Sequence, residues 1–470
     1  MKKSTPQILL SCLLVIAFLL PASVSAEAED MNFSKSDYLN VAEEAEDTVI
    51  TLDGDHGTIS DSTRGKSGNP VVIERKGIYR ITGQADGVTI RIAEPKKSGI
   101  IYLVLDHVSM TTSSGPCIEA AAAEKTILQC VGDSYLVSTA AKGAAVYAAD
   151  ALTINGTGRL HVESGKNGIQ CKDTLRITGA DLTVRAENDG LKGDRGILID
   201  GGSITVAKCY EGLEGGQVLI RSGELRITAS DDGINAAGES DLQGDVIISG
   251  GRVCIDAGGD AIDSNHSISI EGGVTLVEGP ANGRNSIFDK GDSADAVLSI
   301  SGGTVLAVGS AEKAKNFSAG TQYSRLEQIS GHAGDVISAD DDSGIALTAT
   351  RDFDCVIYSS PGFTPDSRIQ VSAAEGADEA ISEWKTDIAP EITDEIRERF
   401  DKAAEALVGV RYEPLAVLGQ QGDLFCILCR ATAAYPDANP YHALVYLSTA
   451  DGKPEIRQVY ELWIDSYGRN

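Results

Sequence analysis

The chain has 470 residues, and 69 acidic side chains against 40 basic ones give it a net charge of −29. Such acidity argues against nucleic acid as a partner, because phosphate binding needs clustered Lys and Arg. It suits cation binding or plain solubility, and the length leaves room for a repeat array plus a further domain.

Residues 1–26 read as a secretory signal, with Lys2 and Lys3 at the start, an apolar run over 8–20 and the small-residue site Val24-Ser25-Ala26. The run is too short to favour a membrane span. The expectation is therefore a protein that is secreted or sits at the cell surface, with no span after cleavage. Removing two lysines and no acid brings the net charge to −31. Residues 27–46 are acidic and Ser-rich, and are expected to be a mobile lead-in. Strand-like runs begin at Thr48-Val49-Ile50-Thr51-Leu52 and continue over 71–74, 77–83, 88–92 and 100–105.

From Lys166 to Asp289 one phrase returns: Asn188-Asp189-Gly190-Leu191-Lys192, Tyr210-Glu211-Gly212-Leu213-Glu214, Asp231-Asp232-Gly233-Ile234-Asn235, Gly259-Asp260-Ala261-Ile262-Asp263. Weaker copies stand at Asn167-Gly168-Ile169-Gln170 and Asn285-Ser286-Ile287-Phe288-Asp289. Counted from Ile169 to Ile287, the apolar residue recurs after 22, 22, 21, 28 and 25 residues. A period just above twenty, with strand alternation and Gly turns, predicts a β-solenoid, whose coils bury their apolar side only by stacking. Stacking puts equivalent residues in columns. Two positions before the apolar residue the column reads Asn167, Asp189, Glu211, Asp232, Asp260, Asn285. One position after it the column reads Gln170, Lys192, Glu214, Asn235, Asp263, Phe288. Stacked carboxylates about 5 Å apart repel by roughly 3 kcal/mol at an effective dielectric near 20. They need a counter-ion or they strain the fold, and a solvated acidic face is the bland alternative.

After Asp289 the repeat fades into runs expected to cap the open end, among them 344–349 and 355–361. Residues 373–390 are an expected linker. Residues 391–470 show one helical stretch, 393–407, and strand-like runs over 412–418, 424–431, 443–447 and 456–464, which suggests a small α+β domain similar to the cystatin-like class. A structural or docking role, with a protein as partner, is expected for it. Eight cysteines remain after Cys12 is lost with the signal. Most fall in or beside strands and are expected to be buried thiols, with one or two disulfides as the alternative. Cys426 and Cys429 lie on one strand run without a neighbouring His, which speaks against zinc.

The phrases Asp189-Gly190-Leu191-Lys192, Ser230-Asp231-Asp232-Gly233-Ile234-Asn235-Ala236-Ala237, Gly259-Asp260-Ala261-Ile262-Asp263-Ser264-Asn265 and Ser359-Ser360-Pro361 resemble a family of secreted bacterial proteins called carbohydrate-binding domain-containing. Gly77-Ile78-Tyr79-Arg80-Ile81-Thr82-Gly83 and Leu103-Val104-Leu105-Asp106-His107-Val108 fit it as well. The resemblance covers residues 47–372 and implies an all-β, right-handed parallel β-helix, pectate-lyase-like in shape. It further implies Ca2+ on the coils and binding of a plant cell-wall polysaccharide, acidic pectic sugar or cellulose. Lys192, Ala261 and Asn285, which closes the acidic column, depart from its pattern.

On that basis Asp189, Glu211, Glu214, Asp231, Asp232, Asp260 and Asp263 are the candidate calcium ligands, since calcium takes six to eight oxygens in flexible geometry. Lys192, Asn235, Asn265 and Tyr210 are candidates for contact with the sugar. The expected function is non-catalytic, calcium-dependent polysaccharide binding. A polysaccharide lyase needs a Lys or Arg of lowered pKa as base, and carboxylates around Lys192 work the other way. A structural surface protein stapled by calcium is the third reading.

Overall fold

A computed structural model describes residues 31–43, 48–94, 99–239, 241–373, 392–404, 410–421, 423–433, 441–449 and 454–462. The signal stretch, the linker stretch 374–391 and both tryptophans lie outside the described residues.

The repeat region is a parallel β-solenoid. Short strands stack into an 11-stranded sheet, while the other sides of the coils form a 21-stranded sheet. One coil shows the plan: Leu191–Gly193 on the narrow sheet, then Gly196–Cys209 running over the broad one, then Leu213–Gly215 back on the narrow sheet one rung further on. The inward column Ile169, Leu191, Leu213, Ile234, Ile262 is in parallel register and fully buried. Each such side chain contributes roughly 1.5–3 kcal/mol by leaving water. At the N-terminal end the coil edge is closed by an antiparallel pair, Thr48–Gly54 with His56–Ile59.

The far end is capped, as expected. Cys355–Ser359 runs antiparallel to Thr304–Gly309, and a second apolar cluster including Leu306, Phe353, Val356, Tyr358 and Phe363 seals it. Buried Glu278 holds Thr350 through its backbone N–H (2.8 Å) and hydroxyl (2.6 Å), tying the cap to the last coils.

The lead-in differs from expectation over residues 31–43, which lie along the outside of the broad sheet as a strap. Arg176 Nε donates to Asn32 O (2.9 Å), and Arg221 sits over the Phe33 ring at 5.1 Å. Val41 N donates to Gln129 Oε1 (2.9 Å), and Arg80 reaches Ala42 O. At its centre Asp37 is fully buried. Its carboxylate takes the Lys125 ammonium, the Thr153 hydroxyl and the Ser34 N–H. Burial works against that charge, yet these donors hold its pKa below the usual carboxylate range.

The eight described cysteines are free thiols. All are buried except Cys254, which is half-buried. Burial pushes Cys117, Cys130, Cys171 and Cys209 up to about 12, so they behave as small apolar groups. The C-terminal region has the expected composition, a helix Asp394–Ala404 and a four-stranded antiparallel meander. Phe400 and Ala403 pack on Ile427, Cys429, Val445 and Leu447. No helix among the described residues is long and apolar enough to cross a membrane.

Candidate metal and ligand site

The acidic phrases lie on the narrow sheet, where each rung repeats the same local geometry. The N–H of the residue after each acid donates to the carbonyl of the acid one rung on: Gly190 N to Glu211 O (2.9 Å), Gly212 N to Asp232 O (2.9 Å), Gly233 N to Asp260 O (3.0 Å). Glycine at the second position has a steric reason, because a Cβ on Gly212 would collide with Gly233 O and Ile227 Cγ2. The next residue points into the core and the one after it points out. The outward column is Gln170, Lys192, Glu214, Asn235, Asp263.

The last rung corrects the sequence register by one residue. Phe288, not Ile287, pairs with Ile262, and Asp289 pairs with Asp263. Ser286 therefore stands in the acid column in place of Asn285, and its N–H donates to Asp260 Oδ1. The local sequence offers two adjacent apolar residues, both fully buried, so alternation alone could not choose between them.

All seven predicted metal-ligand carboxylates come together in three groups: Asp189, Glu211 and Glu214; Glu211, Asp231 and Asp232; Asp232, Asp260 and Asp263. Within each group, one oxygen from every residue lies within 4.8 Å of the others. The groups overlap, with Glu211 common to the first two and Asp232 to the last two, so they form one continuous row along the stack. Asp189 is the most buried member, 2 % exposed. Its Oδ1 accepts from Asn188 Nδ2 (2.8 Å), while its Oδ2 faces the Lys192 ammonium at 3.3 Å as an ion pair without hydrogen-bond geometry. Asp232 Oδ1 accepts the Asp260 N–H at 2.7 Å.

The charges strain each other. Burial, with neighbouring carboxylates adding to it, pushes Glu211 and Asp232 up to about 7, and Asp189 and Asp263 up to about 6. Asp260 is raised for the same reasons. Two residues escape the pattern. Burial also opposes the charge on Glu214, but hydrogen bonds from Asp189 and Lys192 hold it low. Lys192 is desolvated too, yet Glu214 and Asp189 keep its ammonium more firmly protonated than usual.

The donor set fits a hard divalent cation. Oxygens on opposite sides of a calcium ion bonded at about 2.4 Å stand about 4.8 Å apart, and the row offers carboxylate oxygens with no His or Cys. Each group supplies three side chains, so backbone carbonyls, water or a bound ligand must complete the shell.

The candidate sugar contacts divide. Lys192 and Asn235 are on the row, Asn235 donating to Glu211 Oε2 (3.4 Å). Tyr210 is 48 % exposed beside it, and the neighbouring Asp231 carboxylate raises the pKa of its hydroxyl. Asn265 does not join them, because its amide is used on Ala237 O in the neighbouring coil turn. Sequence reasoning missed Asp289, which meets Lys315 at 3.1 Å at the far end of the row, and Asn188, which bridges Asn167 and Asp189. The acid at Asp289 was visible, but only the correct register puts it in the column.

A family model described as carbohydrate-binding domain-containing protein matches residues 67–236 and 210–341. Among solved structures, the polysaccharide lyase-like protein from C. thermocellum, studied as a gadolinium derivative, is 28% identical with a TM-score of 0.42, covering 54% of this chain and 96% of that chain. No curated protein matches. The family match spans more than half of the sequence, with the whole acidic row inside it, and the chain belongs to the carbohydrate-binding domain-containing protein family.

Proposed function

We propose that this chain is an exported, non-catalytic polysaccharide-binding protein that holds calcium on its carboxylate row and uses it to bind acidic pectic glycans, with cellulose as the neutral alternative. The observation that carries the reading is the row of three overlapping carboxylate groups, in which burial and neighbouring acids raise the pKa of the two shared members, Glu211 and Asp232, without enough counter-charge beside them. Calcium bound there would supply positive charge and open coordination positions for a uronate carboxylate. Without it, a protein of this net charge repels an anionic polymer. Asn235 and Tyr210 stand beside the row to meet hydroxyl groups.

The family and the row support binding rather than cleavage. Lys192 is the basic residue within the row, and its two carboxylate partners keep it protonated, the wrong state for a base that abstracts a proton. The test is co-sedimentation and affinity electrophoresis of the purified protein with polygalacturonate and with cellulose, in calcium and in chelator. Acidic-glycan binding should need calcium, while binding to cellulose should survive chelation. Equal polygalacturonate binding in both buffers, or accumulation of unsaturated product, would remove the reading.

A further inference from the structure

The three carboxylate groups are not equivalent. In the first, the Lys192 ammonium lies 3.3 Å from Asp189 Oδ2 and makes a short ion pair with Glu214 Oε2. Both partners belong to that same triplet. Register explains the placement, because Lys192 stands directly beside Glu214 in the outward column. In the next two rungs that column carries Asn235 and Asp263, which bring no positive charge. Among the described residues, Asp231, Asp232, Asp260 and Asp263 have no Lys or Arg ion-pair partner.

An ammonium is a compact point charge with three donors, so it can stand among three carboxylate oxygens much as an ion would. Among the described residues Glu211, the member shared with the second triplet, has no Lys or Arg ion-pair partner either. We propose that Lys192 is a tethered cation that takes the place of metal in the first triplet, so that the row binds ions at two positions only, those of Glu211–Asp231–Asp232 and Asp232–Asp260–Asp263. Removing the ammonium opens a third position, in which the buried Asp189 Oδ2 becomes a ligand. The inference rests on the calcium reading above and adds the stoichiometry to it.

The test is calcium stoichiometry by equilibrium dialysis and calorimetry on the full chain, for the parent, Lys192→Met and Lys192→Arg. Two ions per chain are expected for the parent and for Lys192→Arg, and three for Lys192→Met. Circular dichroism checks that each chain is folded. A parent that binds two with no gain in folded Lys192→Met overturns the role of Lys192 and leaves the calcium reading standing. A parent that binds none overturns the calcium reading itself. Should Lys192→Met fail to fold, the parent decides: two ions support the inference, and one or three overturn it.

Discussion

Asp232 belongs to two of the three carboxylate groups, so Asp232→Asn should change the stability of the metal-free and the calcium-loaded protein in opposite directions. Asparagine keeps an oxygen to accept the Asp260 N–H, which Asp232 now accepts at 2.7 Å, and removes only the charge. That charge is costly. Its folded pKa of about 7 lies above the ordinary 3.8, first through burial and then through Asp231, Asp260 and Asp263. Three pKa units correspond to about 4 kcal/mol, and carboxylate oxygens that lie within 4.8 Å of one another repel by roughly 3 kcal/mol or more at an effective dielectric near 20. The first figure is mostly the cost of burying the charge and already contains the repulsion from the neighbours, so the two do not add. Because the folded value is raised, the penalty is complete above about pH 7 and is relieved as pH falls towards 3.8.

In chelator at pH 8, Asp232→Asn should therefore melt higher than the parent, by the equivalent of about 2–4 kcal/mol; the gap should narrow to less than half of that by pH 5 and close only below about pH 3.8. In calcium the order should reverse. Binding at a hundredfold excess over Kd adds about 2.7 kcal/mol per site, and the variant damages both positions that Asp232 serves. Thermal unfolding followed by circular dichroism measures all four conditions. A variant that is less stable than the parent in chelator at pH 8 would refute the electrostatic reasoning.

Two further outcomes test the scaffold around the row. Asp37→Ala leaves the Lys125 ammonium without its buried partner and should cost about 3–5 kcal/mol; limited proteolysis should then cut within residues 31–43, which the parent should protect. Gly212→Ala drives a methyl group into Gly233 O and Ile227 Cγ2. It should lower stability by about 1–3 kcal/mol, in calcium and in chelator alike, because the collision does not depend on metal; urea unfolding measures it.

The coils were legible because stacking imposes one period on the sequence, and Ile169, Leu191, Leu213, Ile234 and Ile262 repeat closely enough to fix their register. The carboxylate groups followed, since a column in sequence becomes a row in space. At the last rung two apolar residues stand side by side, both fully buried, and alternation does not tell Ile287 from Phe288, which takes the rung. The strap was hidden for a different reason. Its contacts join Asp37 to Thr153 and Asn32 to Arg176, across more than a hundred residues, and no repeat announces them. The local hint was Ser34 three residues before Asp37, which forms a capping box at the turn Lys35–Tyr38, with Phe33 and Tyr38 beside it. Acidic, Ser-rich composition outweighed that hint, although Asp37 is held by donors that lie far away in sequence.

The central claim is that the carboxylate row is a divalent-cation site that receives an acidic sugar. A crystal structure grown with calcium and an oligogalacturonide, with anomalous data, tests it most directly. Ion density bonded to Asp232 at about 2.3–2.6 Å, with a uronate carboxylate completing the shell of at least one ion, is the predicted result. A sugar bound elsewhere on the coils with the row free of metal would contradict it.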